Sequence, residues 1–96
     1  MSEKLKIRLV TKAVNELQKA AFWYEEQRKG LGSAFMLSAE AALATIQRNP
    51  EHYAKVDDDT RKIMMKHYPY GIFYSVEPNE IVVTAVFHGS RNPADR

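Results

Sequence analysis

The sequence predicts an α+β fold of two layers, a helical hairpin laid on a four-stranded sheet in the order β-α-α-β-β-β. Three observations predict it. Residues 11–29 and 33–49 carry apolar side chains at helical spacing. The segment Tyr70–Val76 alternates, and the run Ile81–His88 that follows is rich in β-branched residues. The turn formers Gly30-Leu31-Gly32 and Glu77-Pro78-Asn79-Glu80 fall between these segments, and Leu5–Leu9 supplies one more short alternating stretch.

Taken in order, Leu5-Lys6-Ile7-Arg8-Leu9 alternates apolar and basic residues, the period of a half-exposed strand. Thr11 is placed to cap a helix running to about Lys29, with Gly30 as its stop. On that helix Val14, Leu17, Ala20, Ala21 and Tyr24 fall on one stripe, the face expected on the sheet. Ser33 is the expected cap of a second helix, whose stripe is Phe35, Ala39, Ala42, Leu43 and Ile46. Asn49-Pro50 ends it, because proline disfavours the α conformation in the residue before it. A loop over 50–59 leads to a strand expected from Arg61 to Tyr68, with Pro69 at the turn. The strand Tyr70–Val76, the 77–80 hairpin and the strand Ile81–His88 close the sheet. The last strand's apolar run places it at the centre, covered on both faces.

The chain has 96 residues, the size of one domain, and reads as a single domain over residues 1–96. It holds no cysteine, which excludes disulfide frameworks and cysteine zinc sites and fits a reducing cytoplasm. The N-terminus lacks the apolar core of a signal peptide, and the longest aliphatic run, Ile81–Phe87, is far short of the roughly 18 residues that span a membrane. The net charge of +2 is too small to mark a nucleic-acid binder by itself. No cofactor and no metal is expected, since the three histidines lack metal-ligand spacing and Asp57-Asp58-Asp59 reads as a solvated turn.

Two groups of residues stand out. Arg61, Lys62 and Lys66 on the strand before the hairpin, with His88 and Arg91 at the end of the last strand, are expected to form a cationic cluster suited to an anion. A histidine beside arginines can also serve a nuclease, so Arg61, Lys66, His88 and Arg91 are the candidate catalytic residues if the chain cleaves RNA. The structural alternative is that His88 and Arg91 only tie the tail to the sheet and that Arg61 pairs with the aspartate run. The second group is Phe22, Trp23 and Leu37, which lie off the two stripes. Trp23 and Leu37 can pack within the hairpin, whereas Phe22 is left on the outer face as a docking point for a partner helix.

The chain resembles the RelE/ParE toxin superfamily of type II toxin–antitoxin systems, and its ParE-like branch in particular. The residues that carry the resemblance run along nearly the whole chain. They are Trp23-Tyr24-Glu25 with Gly30-Leu31-Gly32 and Phe35, Ile46 with Asn49-Pro50, Arg61, the block Tyr68–Tyr74, and Ala85–Pro93. The resemblance implies a sheet ordered 1-4-3-2 and a cytoplasmic toxin held in a hetero-oligomer by a ParD-like antitoxin that wraps the hairpin and sheet. It implies partner contacts at Phe22, Trp23, Leu37, Arg61, Tyr74, His88 and Arg91. ParE-like members are associated with poisoning DNA gyrase without catalysis, so gyrase is the expected target. RelE-like members cleave mRNA on the ribosome, the alternative activity, and an inactive antitoxin-binding module is the third. The chain departs from the RelE-like pattern in its low net charge and in having no aromatic residue after Arg91.

Overall fold

The computed structural model describes residues 5–89. Its elements are β1 (Lys6–Leu9), α1 (Thr11–Gln27), α2 (Leu31–Arg48), β2 (Arg61–Met64), β3 (Tyr70–Val76) and β4 (Glu80–His88). The strands form one sheet in the order β1-β4-β3-β2, with β1 parallel to β4 and the other pairs antiparallel. The expected order of elements and the central place of the last strand are both borne out.

The two helices cover one face of this sheet. Leu17 and Ala20 of α1 and Phe35, Ala39, Ala42 and Ile46 of α2 are buried against Ile72, Tyr74, Ile81, Val83 and Val86. Ala21, Tyr24 and Leu43 from the expected stripes lie at the margin of that core, Val14 is half-buried outside it, and Ala13 takes a fully buried place the stripe omitted. The opposite face carries a smaller buried cluster of Phe73, Ala85 and Phe87. Lysine stems roof it. Lys62 Nζ lies 5.6 Å from the Phe73 ring and Lys12 Nζ 4.3 Å from the Phe87 ring, so each chain shields apolar surface while its ammonium stays wet.

Several local expectations are corrected. Val10, not Thr11, is the N-cap of α1, and no side chain caps it. Gly30, with φ of 93°, is the N-cap of α2 in place of Ser33, so its left-handed backbone starts the second helix rather than merely stopping the first. Glu25 holds this turn together: its carboxylate accepts the N–H groups of Gly30 and Gly32, and those bonds lower its pKa. Gly32 lies inside α2 where the helices touch, and an added Cβ would sit 2.7 Å from the Ala21 carbonyl oxygen. Strand β2 ends at Met64 instead of reaching Tyr68. Met65 turns into the core and His67 takes φ of 72°, a left-handed kink that ends the ladder before Pro69.

One interaction replaces a missing strand. β1 pairs with β4 only as far as Val83, where Val10 N–H donates to the Val83 carbonyl at 3.0 Å. Beyond that point α1 crosses the edge of β4, and Glu16 Oε1 accepts the Val86 N–H at 2.7 Å. Lys12 holds the other carboxylate oxygen of Glu16 at 2.8 Å. Glu16→Ala removes the acceptor from a part-buried donor and is expected to cost about 1–3 kcal/mol. Glu16→Gln keeps an oxygen there and should cost clearly less. Chemical denaturation of both variants checks this, and equal losses would show that the Val86 bond does not stabilise the fold. Gly32→Ala should destabilise by about 1–3 kcal/mol by forcing the helices apart, a loss readable as a lowered thermal midpoint.

Candidate functional site

The strand register decides where the cationic residues lie. Residues paired across β2, β3 and β4 point to the same face, so each side chain can be placed from its partner. Arg61 pairs with Tyr74, and His88 pairs with Tyr70. Tyr74 and Tyr70 both belong to the helix-covered face, so Arg61 and His88 share that face but sit at opposite ends of β3. Four residues along a strand and two inter-strand steps put their backbones about 16 Å apart. Lys62, paired with Phe73, points to the other face. The expected cluster therefore does not form among Arg61, Lys62 and His88. Arg91 lies outside the described residues.

Each of these residues has local work instead. Arg61 is half-buried, and its Nη1 donates to the carbonyls of Tyr53 at 2.7 Å and Glu51 at 3.2 Å. It pins the 50–60 loop rather than pairing with the aspartates, which form their own turn through Asp57 Oδ1. Tyr74 is fully buried and its hydroxyl donates to the Pro50 carbonyl at 2.8 Å, fixing the start of the same loop. It is thus not available to a partner, contrary to expectation. Burial pushes its phenol up to about 12. His88 is exposed, and its ring meets Tyr70 edge-on at 5.2 Å. Behind it Tyr24, Phe35, Tyr68 and Tyr70 form a ring-on-ring cluster in which burial raises the Tyr24 and Tyr70 pKa values.

On the helical hairpin Phe22 is exposed as expected, but Trp23 and Leu37 depart from the expected packing. Phe22 and Leu37 are 64% and 66% exposed and border one shallow groove between the helices, which Ala21 and Met36 also line. Trp23 is 54% exposed and leans edge-on against Tyr24 at 5.1 Å, so neither it nor Leu37 is packed within the hairpin. On the other flank of Leu37 runs a second groove, about 800 Å³, between α2 and β2. The sequence reading missed this groove. Lys66 and Arg48 lie along it, and the shortness of β2 that opens it depends on the His67 kink. No group of histidine and carboxylate side chains able to hold a metal ion occurs among the described residues. Among the described residues no helix is long and apolar enough to cross a membrane.

A model of the ParE toxin family of type II toxin–antitoxin systems, parDE, matches residues 7–93. The chain belongs to that family. Solved structures agree with the assignment in fold. A chain of the chromosomal ParDE TA system from P. aeruginosa superposes with a TM-score of 0.79 at 14% identity, over 93% of this chain and 100% of that one. The isolated E. coli RelE toxin gives 0.65 at 17% identity, over 95% and 90%. The RelBE2 toxin–antitoxin complex from Mycobacterium tuberculosis gives 0.64 at 16% identity, over 95% and 98%. No curated protein matches the chain.

In this ParE-family chain Arg61 and Tyr74 are expected to act on the 50–60 loop. Arg61→Ala should cost about 1–2 kcal/mol and raise amide exchange at residues 51–59, with little change in the helices. Unchanged exchange there would remove the pinning role. Tyr74 must stay neutral to remain buried, so its folded pKa lies above the unfolded one. Its contribution is complete below the ordinary tyrosine range near ~10 and is lost as pH rises toward about 12. Denaturation across that window should show alkaline destabilisation that Tyr74→Phe reduces.

Proposed function

We propose that this ParE-family toxin acts in the cytoplasm as a non-catalytic inhibitor of DNA gyrase and is neutralised by a cognate antitoxin in a hetero-oligomer. Two observations support the reading. The matching family model is that of ParE. The separation of Arg61 from His88 carries the non-catalytic part. A ribonuclease needs a proton acceptor, a charge stabiliser and a proton donor around one phosphate, and a backbone gap of about 16 Å removes Arg61, one of the four candidates, from a site around His88. Arg61 is moreover engaged with two backbone carbonyls.

The antitoxin's place in this reading is the outer face of the hairpin. Phe22, Trp23 and Leu37 present large apolar surface that a folded monomer gains nothing by exposing together. A partner helix laid on the groove between α1 and α2 would bury Phe22 and Leu37 at once, as helix-in-groove recognition requires. The ParDE and RelBE neighbours are themselves toxin–antitoxin systems, which supports a partner of that class here.

The test is direct. The purified chain, added to a gyrase supercoiling reaction and in parallel to translating ribosomes, is expected to block the first and leave mRNA on the second intact. Ribosome-dependent cleavage with normal supercoiling would reverse the assignment. His88→Ala is expected to retain growth arrest on induction in bacteria, because His88 lies at the rim of the tyrosine cluster rather than beside Arg61. Complete loss of arrest by a folded His88→Ala protein would point to proton transfer.

A further inference from the structure

We infer that the groove between α2 and β2 is a second partner site, which takes an extended acidic segment with carboxylates four residues apart around a central apolar residue. The inference deepens the antitoxin-binding half of the reading above and rests on it. It concerns a different surface from Phe22 and the α1–α2 groove.

The groove's walls are apolar and shallowly stepped. Ala34 and Ala41 of α2 are exposed on one side and Ile63 of β2 is half-buried on the other, while the Met64 side chain turns to the opposite face of the sheet with Lys62. Its charges are all of one sign. Lys66 stands at one end, anchored beside α2 by the Ser38 hydroxyl donating to its carbonyl at 2.8 Å. Arg48 stands at the other end, its guanidinium bonded among the described residues only to the Thr45 hydroxyl. No acidic residue lines the groove, and neither cation has an ion pair among the described residues. An apolar trough with unpaired cations at both ends is complementary to a segment bearing carboxylates at matching separation.

The separation can be read from the helix. Ser38 to Arg48 is ten residues of α2, a span of about 15 Å. In an extended chain, positions i and i+4 lie on the same side about 13 Å apart, with i+2 pointing the same way between them. Acidic–x–apolar–x–acidic therefore sets two carboxylates toward Lys66 and Arg48 and one apolar side chain toward Ala41 and Ile63. A backbone anchor is present as well. Lys62 N–H points outward from the sheet, donating to the Ala54 carbonyl, so two residues on the Met64 N–H and carbonyl also point outward. Neither Met64 group is hydrogen-bonded among the described residues. β2 is an edge strand, and these are the groups that an added extended segment pairs with.

The experiment uses a labelled peptide centred on Asp-Thr-Val-Thr-Asp and a counterpart with Lys in place of each Asp. Fluorescence anisotropy against the full chain is expected to show the acidic peptide binding at least about tenfold more tightly than the basic one, with affinity falling as salt rises. Amide exchange should slow at Met64 on binding. The double substitution Arg48→Glu and Lys66→Glu should reverse the preference between the peptides, and Ala41→Arg, which fills the trough from an exposed helix position, should abolish binding. Equal binding of both peptides, unchanged preference in the double variant, or no protection at Met64 would overturn the inference. Supercoiling inhibition reads the toxin's target without the peptide, so its failure would strike the gyrase assignment and leave the peptide result to be judged alone.

Discussion

β4 is the strand on which the molecule is assembled. It pairs with β1 on one side and β3 on the other, and residues on both of its faces are buried. The parallel β1–β4 pairing imposes the rest of the topology. Parallel neighbours cannot be joined by a tight turn, so the chain must leave the sheet after Leu9 and return before Glu80. The helical hairpin and the β2–β3 antiparallel pair fill that interval, and the hairpin lands on the face that Ile81, Val83 and Val86 leave to be covered. Where β1 stops, Glu16 continues its role with a single carboxylate.

The same architecture explains why the positive residues disperse. In an antiparallel meander the first and third strands run the same way. The end of β4, with His88, therefore lies level with the end of β2, near Met64, while Arg61 at the start of β2 belongs to the far end. Arg61 and Tyr74 then serve the 50–60 loop, and the tyrosine cluster with His88 closes the other end of the sheet. Leu37 of α2 forms the ridge between the two grooves of the helical layer.

Much of the fold was legible because it rests on periodicity. The helical stripes, the alternating β3 and the aliphatic β4 each repeat one physical requirement many times, so a few misfits do no damage. The helix caps were not legible, since Ser33 and Thr11 have the right chemistry for a cap but Gly30 and Val10 hold the positions. The length of β2 turned on one residue, His67, whose backbone enters a region that no side-chain pattern signals. Of the functional residues, the exposure of Phe22 followed from its angle on the helix wheel. The scattering of Arg61, Lys62 and His88 depended on strand register and face, which a list of nearby charges does not contain. The groove holding Lys66 and Arg48 joins residues from two elements distant in sequence, and only packing brings them together.

The contact between Glu16 and Val86 also bears on how the edge of β4 is closed beyond β1. A naked ladder beside a strand as aliphatic as β4 would be a template for stacking copies of the protein end on end. Filling that vacancy at Val86 with a charged helical side chain, rather than with more backbone, takes one rung of the ladder away from a sister molecule.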